Sequence, residues 1–244
     1  MSKHNKTSKP DDIRNVKISI EDNAEGRKIF ETIYDEIKAA QHSQQNAISI
    51  ISALLDKPLD FYDLIRQPEI EYPSSPWTKH ITTIDSIVHA PDGKRTLVEL
   101  VIVRQPVPLD ILIANSMIAS TLCAKEIDNQ VTIMLLCYEQ FMDKRIKNVF
   151  SFKDSTTGNS MIENVSWITF EIPKIESLTD EDNKSLNDRA KSWLKLLNAD
   201  TEEKLRAAVT SSDTEQVYED VMRNNRDPEF RKKVLQDLIR DSKT

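Results

Sequence analysis

The alternation of apolar and polar positions is clearest in TTIDSIVHAPDGKRTLVELVIVRQ (residues 82–105), where two β-branched runs flank Pro91-Asp92-Gly93. This pattern predicts a hairpin with strands over about 80–90 and 95–104. Upstream, Ile29, Phe30, Ile33, Tyr34 and Ile37 recur at three- and four-residue steps, predicting an amphipathic helix from about Ala24 to Ala40. A second helix is expected from about Gln44 to Leu55, stopping before Lys57-Pro58. A loop-rich piece with Pro68, Pro73 and Pro76 follows, with a short strand near Ile70. Beyond the hairpin, Pro106 and Pro108 end the strand and introduce a helix over about Leu109 to Ile127. The stretch VTIMLLCYEQF (Val131–Phe141) reads as a continuous apolar run, which predicts a strand buried on both faces. NVFSF and VSWITFEI predict two more strands, around 148–153 and 165–172. The remainder is helical, over about 180–198, 201–209, 214–224 and 228–241, with Asp200-Thr201 and Asp227-Pro228 as start signals.

This order of elements implies an α/β protein with a mixed central sheet flanked by helices. Residues 1–20 begin polar and basic and are expected to be a disordered arm. Residues 21–198 form the main domain, and 199–244 a helical C-terminal extension whose charges mix both signs.

Composition narrows the function classes. The 244 residues are 39% hydrophobic and 30% charged, ordinary for a globular chain. With only 3 glycines and no GxGxxG or GxxxxGK, a glycine-rich phosphate loop is not expected. Cys123 and Cys137 both lie in apolar segments and are expected to be buried free thiols rather than a disulfide. Neither a signal peptide nor an apolar run long enough to cross a membrane is visible, which points to the cytoplasm. The net charge of -7 argues against tight, non-specific nucleic-acid binding but leaves room for a local basic groove.

Each hairpin strand carries one acid inside its apolar run, Asp85 and Glu99. Proline suits the first turn position, and glycine the left-handed position that closes a three-residue loop. Counting outward from Ala90 and Lys94 places Asp85 directly across from Glu99. Side chains so opposed have Cβ atoms about 4.5–5.5 Å apart. Two like charges there repel unless something positive lies between them, and a divalent cation is the usual answer. Two alternatives stay open: a one-residue slip would separate the acids onto opposite faces, or either acid could pair with Lys79, Arg95 or Arg104.

An acid on one strand, a tight turn, and an acid two residues before a Gln or Lys on the next resembles the PD-(D/E)XK nuclease arrangement. The surrounding order is similar to its recombination-promoting nuclease (Rpn), or putative transposase, branch. The stretches that carry the likeness are Asp85, DGKRTLVELV, the Leu109–Ile127 helix, VTIMLLCYEQF, ITFEIPKI with Glu171 and Lys174, and SWLKLLNAD. The resemblance runs over about residues 25–240. It implies a restriction-endonuclease-like sheet, DNA as partner, and Mg²⁺ or Mn²⁺ held by Asp85 and Glu99 as catalytic and metal-binding residues, with a backbone carbonyl near 100 or 101 as a third ligand. The implied activity is metal-dependent hydrolysis of DNA phosphodiesters.

Two departures bear on catalysis. The family's Gln or Lys falls on Val101, which has neither donor nor charge. The acid and aromatic that open its first helix fall approximately on Asn23 and Gly26, leaving only the positive charge of Arg27. Arg27 or Lys28 is the nearest candidate for a substitute cation. Three readings therefore stay open: a weakened endonuclease; a catalytically inactive scaffold that binds DNA or protein, with the helical tail as a homodimer or partner surface; or a protein with no nucleic-acid role. His80 and His89 are expected to be surface residues of the first strand, and Trp77, Trp167 and Trp193 core or edge residues.

Overall fold

The computed structural model describes residues 41–56, 63–66, 81–89, 93–123, 125–160, 164–199, 201–229 and 232. The N-terminal arm, the first predicted helix with Arg27 and Lys28, the strand near Ile70, Trp77, Lys79, His80 and nearly all of the helix over 228–241 lie outside the described residues.

The described elements run α1 (Gln41–Leu55), β1 (Asp63–Arg66), β2 (Ile81–His89), β3 (Arg95–Val103), α2 (Leu109–Cys123), β4 (Asn129–Leu136), β5 (Lys147–Phe150) and β6 (Val165–Glu171). A 3-10 turn (Ile172–Ser177) leads into α3 (Asp180–Ser185), α4 (Asp188–Asn198), α5 (Glu202–Ala207) and α6 (Ser212–Arg226). The six strands form one mixed sheet in the order β1-β2-β3-β4-β6-β5. β1, β2 and β3 make an antiparallel meander, β3, β4 and β6 run parallel, and β5 returns antiparallel at the edge. The expected α/β architecture is present. Among the described residues no helix is long and apolar enough to cross a membrane.

β3 and β4 are central and buried on both faces, so period-2 alternation gives way to continuous apolar runs. On one face, Val98, Leu100, Ile102, Ile133, Leu135, Ile168 and Phe170 meet α1 through Ile50, Ile51 and Leu54, and α4 through Trp193, Leu194 and Leu197. Each such side chain contributes roughly 1.5–3 kcal/mol when fully buried. Leu205 and Ala208, from α5 and its C-terminal end, and Val217 and Val221 of α6 belong to the same cluster, so the described part of the tail packs into the main core. On the opposite face, α2 covers Val101, Val103, Met134, Leu136 and Trp167, with Leu97, Ile87, Ala119 and Cys123 continuing the contact.

Several boundaries differ from expectation. α2 stops at Cys123, where Glu126 N–H donates to Cys123 O at 2.8 Å. β4 ends at Leu136 instead of running to Phe141. Cys137 therefore emerges past the strand end and is exposed, while Cys123 is buried as expected; neither cysteine is in a disulfide. The helix expected over 180–198 is two helices. Thr179 and Asp182 form a capping box for α3, and Asn187 caps α4 by accepting from Ala190 N–H at 2.7 Å. Asn187 also donates to Ala53 O at 2.9 Å and so ties α4 to the end of α1.

Candidate functional site

The β2–β3 ladder runs from Ile81↔Val103 to His89↔Arg95 without a slip, and it sets Asp85 directly across from Glu99. Gly93 closes the turn with φ +83°, a left-handed value that favours glycine. At the turn end of the hairpin, Asp128 Oδ2 accepts from Arg95 N–H at 2.8 Å and Asp128 N–H donates to Arg95 O at 2.7 Å, which ties β3 to the entry of β4.

The register extends this pair into a line across the sheet. Glu99 is opposite Thr132 on β4, and Thr132 is opposite Trp167 on β6. Asp85, Glu99, Thr132 and Trp167 thus lie in one row on four neighbouring strands, on the face covered by α2. Asp85 is partly exposed and Glu99 is 0% exposed. Gln130, two residues before Thr132, shares its face by strand alternation.

Hydrogen bonds connect the row. Thr132 Oγ1 donates to Glu99 Oε2 at 2.6 Å, and Gln130 Nε2 donates to the same oxygen at 2.6 Å. Ser116 of α2 lies over the row, its Oγ 2.7 Å from Thr132 Oγ1. Trp167 Nε1 donates to Ser116 Oγ at 2.8 Å.

Of the other residues singled out from sequence, Val101 shares the face of Glu99 but is buried among Leu112 and Met134, as apolar packing beneath α2. His89 is exposed at the strand end, with Nε2 3.2 Å from Gly93 O, a contact that serves the turn. Trp167 stacks edge-on against Phe152, ring centroids 4.8 Å apart. Trp193 is fully buried on the other face and donates to Ser49 Oγ at 3.2 Å. Ser116, Gln130 and Thr132 escaped the sequence reading. A signal for the last two exists: two polar residues at alternating positions in a strand otherwise buried on both faces mark one polar stripe.

The ITFEIPKI stretch forms a separate buried cluster. Glu171 Oε1 pairs with Lys174 Nζ at 2.9 Å, and both side chains are buried. Glu171 Oε2 accepts from Gln140 N–H at 2.6 Å and Phe141 N–H at 3.1 Å. Lys174 Nζ donates to Phe141 O at 3.0 Å and Asp143 O at 2.6 Å. This ion pair wraps the loop after β4 and accounts for the early end of that strand.

Among the described residues no three His, Cys, Asp or Glu side chains gather as a metal cluster. Asp85 and Glu99 nonetheless meet the lesser need of Mg²⁺, which is commonly held by one or two carboxylates, with waters and substrate phosphates completing six positions. Gln130 turns Nε2, not Oε1, toward Glu99, so it donates to the carboxylate and adds no oxygen ligand to the pair. The donor chemistry fits. No family model, curated protein or solved structure matches the chain.

Proposed function

We propose that this protein is a divalent-metal-dependent DNA endonuclease with a restriction-endonuclease-like fold, related to the Rpn branch of the PD-(D/E)XK nucleases. The observation that carries the reading is the Asp85–Glu99 pair, two opposed acids on adjacent strands of a hairpin whose third strand-neighbour is parallel. An antiparallel meander followed by a helix and a parallel strand supports the same relationship.

In this reading Asp85 and Glu99 hold Mg²⁺ or Mn²⁺. The ion supplies a water of lowered pKa and neutralises charge on the scissile phosphate when bound. Glu99, buried and hydrogen-bonded, provides the fixed ligand, and Asp85, at the more exposed end of the pair, faces the substrate side. With a net charge of -7, DNA contact rests on a local patch of Lys and Arg. A second reading, a non-cutting scaffold that binds DNA or protein, is favoured by one observation. Val101, where the family has Gln or Lys, is buried in apolar packing and donates nothing.

Plasmid cleavage by the full chain with Mg²⁺, Mn²⁺ or EDTA, beside Asp85→Ala and Glu99→Ala, separates the two. Metal-dependent cutting lost in both variants supports the nuclease. No cutting by the wild type with either metal sinks it and leaves the scaffold reading.

A further inference from the structure

We infer that Thr132 and Gln130 are positioning residues for Glu99, held in place from α2 by Ser116 and from β6 by Trp167. The inference rests on the proposed metal site and names the residues that orient its buried ligand.

The polarity of the chain of hydrogen bonds can be worked out from its two ends. An indole N–H only donates, so Ser116 Oγ accepts from Trp167. At the other end the Thr132 proton goes to Glu99 Oε2, so Thr132 Oγ1 accepts from Ser116, whose proton is directed at it. Each hydroxyl accepts from one side and donates to the other, and the carboxylate is the terminus. Linked bonds of one polarity reinforce each other in a low-dielectric interior.

Gln130 adds a second donor to the same oxygen. Its orientation is fixed by its neighbours. Nε2 faces Glu99 Oε2 at 2.6 Å and Ser116 O at 3.0 Å, both acceptors, so exchanging the amide atoms would set oxygen against oxygen. The arrangement leaves Gln130 Oε1 buried without a partner. Buried polar atoms are generally satisfied, and Gln130 Oε1 is one of five described side-chain atoms that are not. Here a side chain forgoes one hydrogen bond in order to keep its donor on Glu99.

Two donors on one oxygen fix the plane of the carboxylate beside Asp85. Outer partners of this kind typically govern metal affinity without touching the metal. Removing them should weaken the ion while the fold persists.

The test is Mn²⁺ titration of the full-length chain followed by electron paramagnetic resonance, with thermal midpoints recorded alongside. Thr132→Val removes the donor at nearly constant volume and is expected to weaken Mn²⁺ by about 10- to 100-fold. Thr132→Ser keeps the hydroxyl and is expected to restore near wild-type affinity, a rescue that a purely structural role for Thr132 would not produce. Gln130→Met, expected to weaken binding about tenfold, gives a second variant should Thr132→Val fail to fold. If Glu99→Gln loses Mn²⁺ but Thr132→Val and Gln130→Met bind as wild type, the positioning role is overturned and the metal site stands. If the wild type binds no Mn²⁺, or Glu99→Gln binds it unchanged, the metal site itself falls and the positioning role with it.

Discussion

Glu99 and Glu171 are both 0% exposed, and both lie on the α2-covered face of one sheet, yet their surroundings differ in kind. Glu171 has a full positive charge against it, Lys174 at 2.9 Å, and two backbone N–H groups on its second oxygen. Glu99 receives neutral donors, Thr132 and Gln130, and has another acid, Asp85, as its cross-strand neighbour. A buried carboxylate supplied with its own cation and backbone donors belongs to the architecture: Glu171 holds the loop after β4. Glu99 is held by side-chain donors of the next strand and lies in register with a second acid, the placement that the proposed metal site uses.

The comparison predicts where substitutions fall on stability and where on activity. Lys174→Met leaves Glu171 buried without its cation and is expected to cost about 3–5 kcal/mol, read from urea unfolding. Joint replacement of Glu171 and Lys174 by apolar residues should recover most of that loss. Metal-dependent cleavage per folded molecule should be unchanged in both; a large fall would make the ion pair part of the site.

Glu99→Gln should act the other way. Cleavage is expected to fall by at least about a hundredfold, since several kcal/mol of charge stabilisation go with the ligand. The unfolding midpoint should fall less than that of Lys174→Met, because the amide keeps an oxygen that can accept from Thr132 and Gln130. A midpoint that drops as far as that of Lys174→Met would place Glu99 with Glu171 as architecture.

Smaller effects sharpen the contrast between the sheet's two faces, each of which has a tryptophan N–H donating to a helix serine. Ser116→Ala strands the Trp167 N–H and should cost about 1–3 kcal/mol, together with metal affinity. Ser49→Ala strands the Trp193 N–H at comparable cost but should leave metal affinity unchanged.

The smallest effect concerns Asp213, a hydrogen-bond partner of Ser49 that also faces Arg189 at 3.5 Å. Burial works to raise its pKa, but hydrogen bonds from Ser211 and Ser49 and the charge of Arg189 outweigh it and hold the carboxyl below its usual range. Its folded-state pKa thus lies under the unfolded one, so its contribution is complete above about pH 4 and is lost as pH falls through the folded value. Melting temperatures of wild type and Asp213→Asn should therefore differ at neutral pH and converge in acid.

The hairpin was legible because its register follows from local chemistry. Gly93 closes the turn, and β-branched runs on either side set the pairing that joins Asp85 to Glu99. The remainder of the site was not, because it depends on parallel pairing. Thr132 meets Glu99 only through the β3–β4 register, which follows from how α2 packs and from no turn between them. Ser116 is one small polar residue on a helix that is apolar around most of its circumference. Strand β1 went unread in the sequence, since four residues, Asp63–Arg66, are too few to show a period. The break between α3 and α4 was visible in principle: Thr179 with Asp182, and Asn187, are ordinary cap signals, and α3 itself, DEDNKS, has no apolar residue to show a period.

The row Asp85–Glu99–Thr132–Trp167 has a consequence for how the chain reaches its native state. One residue comes from each of four strands, and two of the three junctions are parallel, formed between segments distant in sequence. Such pairings carry a large loop-closure cost and are slow to form. An intermediate holding only the β2–β3 hairpin would bring the two acids together with neither Thr132 nor Trp167 beside them. In refolding, recovery of Mn²⁺ binding should therefore trail the early gain of secondary structure and keep pace with the last strand to join the sheet.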